Sequence, residues 1–372
     1  MHMLTRRQTI LGSLVGGLGL GTRRAFAEGH LALGEALRQP PEGAVHERTF
    51  MQWPADTEIY GNVEDLDAVR EKIALIANTI ARFEPVTMLV RPDQADAAKG
   101  RFKAEVSLLP LPVDDLWARD SGPTFLLDDA GALAVLDFNF NGWGNKQAHA
   151  NDSKIAAALA AKLGLPRVVA GVVGEAGGLV NDGAGTLLAH ASSWVDAKRN
   201  SQSQDEIGNA LCDALGAQTI IWAPGVSGQD ITDYHIDSLA RFVGPGRVVI
   251  QLPDRPDDGD PWSMAAFETY RILKSARDAI GRKLELIVMP EPVAIRSRDE
   301  DFVASYVNYY VCNGAVISAQ FGDDKADAEA AKILGQLFPG REVISLNIDA
   351  IGESGGGIHC ATQQQPASRA KA

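Results

Sequence analysis

Cys360 lies in the run Gly355-Gly356-Gly357-Ile358-His359-Cys360-Ala361-Thr362-Gln363-Gln364-Gln365-Pro366, a glycine-rich approach to a thiol. Three consecutive glycines weaken any helix or strand interior, but they let backbone and substrate come close to an atom that must be reached. The context reads as a nucleophile. The other two cysteines, Cys212 and Cys312, sit in the apolar patterns Ala210-Leu211-Cys212 and Tyr310-Val311-Cys312 and read as small buried hydrophobes. With three cysteines in the chain, at least one stays unpaired.

Four further residues stand in polar clusters: Asp120, Glu175, His235 and Asp237. Carboxylates beside a thiol and an imidazole suit a planar cation. A guanidinium offers a fork of N–H donors that carboxylates grip in bidentate fashion, which presents its central carbon to the sulfur. Attack forms a tetrahedral carbon, His235 protonates the departing nitrogen, and the same imidazole then activates water, with Glu175 orienting the ring. The product is a ureido group and ammonia. Asp237 lies two residues beyond His235, so in a strand both side chains face one way. Each residue also has a plainer reading: Asp120 as a helix cap or local ion pair, Glu175 as a turn cap, His235 as a core histidine. His359 is expected to face away from the site as a structural residue, and His46, His149 and His190 have no evident partner. Trp117 and Trp143 are candidate walls for an aliphatic stem, with core packing as the alternative. No Cys-x-x-Cys or His-x-x-x-His spacing supports zinc, so no metal and no cofactor is expected.

These residues need elements to carry them. Amphipathic helical stretches recur at 64–83, 152–164, 204–216, 263–280 and 324–338, each followed by a strand-like run at 86–90, 167–170, 219–222, 284–288 and 342–346. After each unit comes a polar cluster, and the first four open hairpins whose turns are 128–131, 182–185, 244–246 and 313–314. Asp120, Glu175, His235, Ser305 and Cys360 mark the clusters, at intervals of 55, 60, 70 and 55 residues. A period near 60 means repetition. Units arranged about an axis with helices outside would bring the clusters to one centre. An open α/β sheet has the same local pattern but does not explain reactive residues at the same point of each unit. No Gly-x-Gly-x-x-Gly or P-loop follows a strand, so nucleotide binding has no support. The stretch 253–261 reads as a surface loop.

The chain of 372 residues has 45% apolar and 22% charged residues, ordinary for a soluble globular protein, and a net charge of −13. Thr5-Arg6-Arg7-Gln8-Thr9, the apolar run to Leu20 and Ala25-Phe26-Ala27 read as a twin-arginine export signal over residues 1–27, leaving a single domain over 28–372 that is periplasmic or secreted, with a disordered basic tail on a cytoplasmic protein as the alternative. Cleavage removes four arginines and no acids, so the mature charge is 31 minus 48, or −17. Such a surface disfavours nucleic acid and anionic lipid and attracts small cations. No later segment has the roughly 18 apolar residues of a membrane helix.

Taken in order, Trp117-Ala118-Arg119-Asp120-Ser121-Gly122-Pro123, Glu175-x-Gly-Gly with Asp182-Gly183-x-Gly185-Thr186, His235-x-Asp237, Ser305-Tyr306-Val307-Asn308 and Gly-Gly-Ile358-His359-Cys360-Ala-Thr-Gln-Gln resemble the agmatine deiminase family, also described as Porphyromonas-type peptidyl-arginine deiminase. The resemblance runs from about His46 to Pro366. It implies the pentein fold, a five-bladed α/β propeller, and hydrolysis of a small guanidino substrate without metal or cofactor. Residue by residue it implies Cys360 as nucleophile, His235 as general acid/base, Glu175 as its partner, and Asp120 and Asp237 as guanidinium holders. Ala176, Asn181 and Gly357 depart from the family's usual residues; agmatine-specific members tend to carry asparagine at the position of Gly357. Peptide arginine as the substrate, transfer of the amidino group to an amine, and a periplasmic binding protein for cationic amines are the competing expectations.

Overall fold

A computed structural model describes residues 36–103, 105–299 and 302–368. The expected export signal lies outside the described residues. Within them the strands form five separate sheets. Four share one plan: an antiparallel hairpin, a helix, and a third strand parallel to the second. The first unit is Thr124–Leu127, Leu133–Asp137, helix Ile155–Leu163 and Arg167–Val169. The second is Leu179–Asn181, Thr186–His190, helix Gln204–Leu215 and Thr219–Ala223. Ala240–Gly244, Arg247–Leu252, helix Pro261–Ser275 and Glu285–Pro290 form the third, and Tyr310–Cys312, Ala315–Ala319, helix Asp324–Leu337 and Glu342–Leu346 the fourth.

The fifth unit is closed by both ends of the chain. His46–Gln52 pairs in parallel with Val86–Val90 across the helix Val63–Ile80, and antiparallel with the C-terminal strand Gln363–Pro366. A further strand, Val106–Pro110, extends that sheet to four. His46, without a partner in sequence, binds the buried Glu84 carboxylate through Nδ1 at 3.0 Å.

Local chemistry sets the helix ends. Asn62, Ser203, Asp260 and Asp323 each accept a backbone N–H of the following first turn, and Ser203 with Glu206 completes a reciprocal capping box. The helix expected to run to residue 280 stops at Ser275. Beyond it Asp278 accepts the N–H groups of Ile280 and Arg282 and bends the chain into a tight turn, a competing use of the backbone that helical periodicity does not reveal. The second strands Leu133–Asp137, Thr186–His190 and Ala315–Ala319 are buried throughout, whereas the third strands Arg167–Val169 and Glu342–Leu346 alternate towards solvent. These sheets therefore run from an enclosed second strand to an outer edge; the helices Ile155–Leu163 and Pro261–Ser275 cover the middle strands of their own units, whereas Asp324–Leu337 packs on Glu342–Leu346 and on Glu285–Pro290 of the neighbouring unit. The stretch 253–260 is mostly exposed loop. Among the described residues no helix is long and apolar enough to cross a membrane.

Ile317, fully buried and paired to Tyr310 on one side and Ile344 on the other, tests this core. Ile317→Ala should cost about 2–5 kcal/mol through lost burial and the cavity left behind, read as a lower denaturant midpoint.

Candidate active site

The polar clusters precede the first strands of all five units, and they meet. Asp120 sits in the short helical turn Ala118–Ser121 ahead of the first hairpin. Its Oδ2 accepts from the Trp143 indole Nε1 at 3.0 Å and its Oδ1 from the Gly177 N–H at 3.1 Å. Trp143 makes that contact from a left-handed backbone, φ 55°, which an aromatic residue adopts only when its surroundings hold it there. It is therefore a positioning partner of Asp120 rather than an exposed wall. Trp117 lies in the core with its ring against the backbone of Gly356, where a Cβ would approach to 2.4 Å, so packing describes it better than a wall.

Glu175 enters the second hairpin fully buried. Arg199 Nε donates to both of its oxygens, at 2.9 and 3.1 Å, and its Oε2 accepts from His235 Nε2 at 3.2 Å. The same guanidinium reaches Asp233 Oδ2 at 2.8 Å, where Lys146 also donates at 2.6 Å. Asp233 and Tyr234 both take positive φ, so these ion pairs hold a strained loop that delivers His235. His235 caps the 3-10 turn Ile236–Ser238 and Asp237 lies within it, instead of in a strand; both side chains still reach the centre because the turn is tight. His235 Nδ1 lies 3.7 Å from Asp120 Oδ1, so one ring nitrogen is held by Glu175 and the other faces the carboxylate pair.

Asp237 is fully buried. Its Oδ2 accepts from His359 Nδ1 at 2.7 Å and lies 3.6 Å from Cys360 Sγ. Cys360 is half-buried in a turn, not a strand, and its carbonyl accepts the Arg119 N–H at 3.0 Å. The turn also overturns the expectation for His359, which points at Asp237 rather than away from the site. From the fourth unit Asn308 Nδ2 donates to Sγ at 3.2 Å, while its Oδ1 accepts the His359 N–H at 3.0 Å. Any side chain at position 357 would place a Cβ 2.4 Å from that Oδ1, so Gly357 is the residue that lets Asn308 reach the sulfur.

The five expected residues thus form one connected set, Glu175 to His235 to Asp120, and Asp237 to Cys360, around Gly177. Sequence reading singled out Ser305 as the fourth marker, but its hydroxyl donates to the Ser238 carbonyl and it is Asn308, three residues on, that touches the thiol. Arg199 was missed altogether; it stands in a loop, Asp196-Ala197-Lys198-Arg199-Asn200, with no pattern that marks it. Cys312 is buried as expected, and Cys212 is half-buried on the second unit's helix. His190 and His149 turn to backbone carbonyls, of Tyr234 and Gln147. Among the described residues no group of three His, Cys, Asp or Glu has the geometry to hold a metal.

Burial and mutual repulsion set the charges. Burial, with Glu175 and Asp237 nearby, pushes Asp120 up to about 6 against the pull of His235. Burial disfavours the His235 imidazolium, but Asp120, Glu175 and Asp237 outweigh it and raise the ring to about 9. Burial likewise works against the Asp237 carboxylate, yet His359, His235 and Arg241 hold it below the usual range. Burial and the Asp237 and Asp120 charges push the Cys360 thiol well above its ordinary value. The free site is a neutral thiol between acids.

A Cβ on Gly177 would lie 2.7 Å from both Asp120 Oδ1 and His235 Nδ1 and 3.3 Å from Asp237 Oδ2. Gly177→Ala should cost about 1–3 kcal/mol by overpacking, a small drop in melting temperature, while any turnover at the site falls by about 10²-fold or more because the displaced groups lose their mutual geometry.

Residues 38–366 match the family model described as Porphyromonas-type peptidyl-arginine deiminase. The agmatine deiminase of Pseudomonas aeruginosa is 34% identical over 364 residues, covering 90% of this chain and 97% of its own length. That of Ectopseudomonas mendocina is 33% identical over 359 residues, with 90% and 96% covered. The solved agmatine deiminase of Enterococcus faecalis superposes with a TM-score of 0.83 at 26% identity, covering 91% of this chain and 99% of that one. The architecture shared with these structures is the pentein fold. With a family model spanning most of the sequence and relatives above 30% identity over nine-tenths of it, this chain belongs to the Porphyromonas-type peptidyl-arginine deiminase family, which includes the agmatine deiminases.

Proposed function

We propose that the protein hydrolyses a C–N bond of an alkylguanidinium, with agmatine as the leading substrate, to give a ureido compound and ammonia. The observation that carries this reading is the meeting of Cys360, His235, Glu175, Asp120 and Asp237 at one point, with the carboxylates facing inward. The relatives called agmatine deiminases support the substrate class.

The steps follow from the charges. A guanidinium seated between Asp120 and Asp237 cancels the repulsion that keeps Cys360 protonated, so the thiol gives up its proton to solvent and the thiolate forms beside the cation that needs it. Sγ bonds to the central carbon, and the electron pair of a C=N bond moves to nitrogen. His235, an imidazolium held by Glu175, gives its proton to an NH2, and the C–N bond breaks to release NH3. The neutral ring then takes a proton from water, whose oxygen bonds to the thiouronium carbon. Collapse breaks the C–S bond, its electron pair leaving on sulfur; the hydroxyl gives up its proton, which replaces on sulfur the one lost to solvent at the start, and a carbonyl stands where the amine was. The Asn308 N–H at the sulfur stabilises the thiolate at both ends of the cycle. Export by the N-terminal residues would place this chemistry outside the cytoplasm, where amines and peptides arrive from the medium.

Ammonia from agmatine, free arginine and a peptide ending in arginine, with Cys360→Ala as the blank, tests the reading. Agmatine should yield equal amounts of ammonia and ureido product with no added amine. Ammonia only when a second amine is present would assign an amidinotransferase instead, and tight agmatine binding without product would assign a binding protein. A second measurement uses pH. Asp120 must be an anion to hold the guanidinium and is raised to about 6, and His235 must be a cation to protonate the leaving group and is raised to about 9. Because Cys360 must also shed its proton, kcat/KM should rise with pH, drop most steeply below about 6 where Asp120 is protonated, and stop rising above about 9 where His235 loses its proton.

A further inference from the structure

Asp237 Oδ2 is engaged by His359, but Oδ1 is buried and has no hydrogen-bond partner among the described residues. An orphaned carboxylate oxygen in the interior is costly unless something satisfies it. On the other side of the His359 ring, Nε2 donates to Glu42 Oε1 at 3.0 Å. Ionised carboxylates only accept, so the ring supplies a proton to each neighbour. Glu42 Oε2 in turn pairs with the buried Arg241, whose guanidinium lies over the Tyr309 ring at 4.1 Å, and Arg119 Nη1 stands 4.0 Å from Oε1. None of these residues belongs to the five that do the chemistry.

Glu42 is carried by a strap of irregular chain that touches every unit of the fold. Arg38 exchanges backbone hydrogen bonds with Leu127 of the first unit, and Gln39 N–H donates to the Leu215 carbonyl of the second. Glu42 reaches Arg241 of the third unit, the Gly43 carbonyl accepts from Arg341 of the fourth at 2.7 Å, and the Glu42 carbonyl accepts from His46 of the fifth at 2.8 Å. The strap has no regular structure of its own, yet its one carboxylate is delivered to the centre.

We propose that Glu42 and His359 are positioning residues for substrate binding: a second carboxylate–imidazole pair that locks Asp237 through Oδ2 and so presents Oδ1 to an N–H of the guanidinium. The inference rests on the deiminase reading of the same site. It makes the site a double arrangement, Glu175–His235 moving protons on one side and Glu42–His359 holding the cation's carboxylate on the other. Asn at position 359 can place an amide N–H where Nδ1 stands, whereas Ala cannot.

The test compares wild type, His359→Ala, His359→Asn and Glu42→Gln in the full chain, with agmatine as substrate, ammonia release for kcat and KM, and melting temperature for folding. His359→Ala should lose about 10²-fold in kcat/KM, chiefly through KM; His359→Asn should recover to within about tenfold of wild type; Glu42→Gln should raise KM several-fold with kcat little changed. A His359→Ala enzyme as efficient as wild type overturns the proposal, as does a folded His359→Asn no better than His359→Ala. Should His359→Ala fail to fold, a folded Glu42→Gln with unaltered KM overturns it by itself. A wild type inert towards every guanidine refutes the deiminase reading instead, so the two failures are distinct.

Discussion

Three carboxylates withdrawn from water around one sulfur atom are the constraint to which the rest of the molecule answers. Asp120, Glu175 and Asp237 are all buried, and each is held from behind by a donor: the Trp143 indole, Arg199 and His359. Those supports leave Asp237 Oδ1 buried without a donor, which a ligand N–H can provide. The magnitude is sufficient to matter. Opposite unit charges about 4 Å apart at an effective dielectric of about 20 attract by about 4 kcal/mol, enough to move a proton equilibrium about a thousandfold. On the proposed function, a cation arriving between Asp120 and Asp237 would both bind and free the thiolate, so that the sulfur is unmasked by the compound it attacks.

Such a cluster could not be assembled on one element. Like charges repel, and each needs its own rigid mount and its own counter-donor. Five repeated units solve the problem, each giving the polar cluster ahead of its first strand to the centre while neighbouring units anchor one another in shared cores. The costs of the arrangement are visible in the backbone. Trp143, Asp233 and Tyr234 all sit at positive φ, next to the side chains whose placement matters most.

The repeat was legible because its signals are local. Hairpin turns such as Asn313-Gly314 and helices such as 324–337 are written in adjacent residues, and Asp120, Glu175, His235, Asp237 and Cys360 stand in short polar or glycine-rich clusters at the same point of successive units. What escaped was non-local. The pairing of 46–52 with 363–366 and the added strand 106–110 depend on partners far away in the chain, and so do Arg199, Asn308 and Glu42, whose importance lies wholly in what they touch. His359 was misjudged for a related reason: alternation was assumed across Ile358-His359-Cys360, but that segment is a turn, where adjacent side chains can serve the same centre.

The strand that follows Cys360, Gln363–Pro366, completes a sheet begun by His46–Gln52, and Arg119 clamps the same exit through Gln363 and Gln364. On the proposed chemistry the sulfur keeps its place only while Gln363–Pro366 stays zipped to His46–Gln52, so whatever peels that strand from its partner also unseats the thiol.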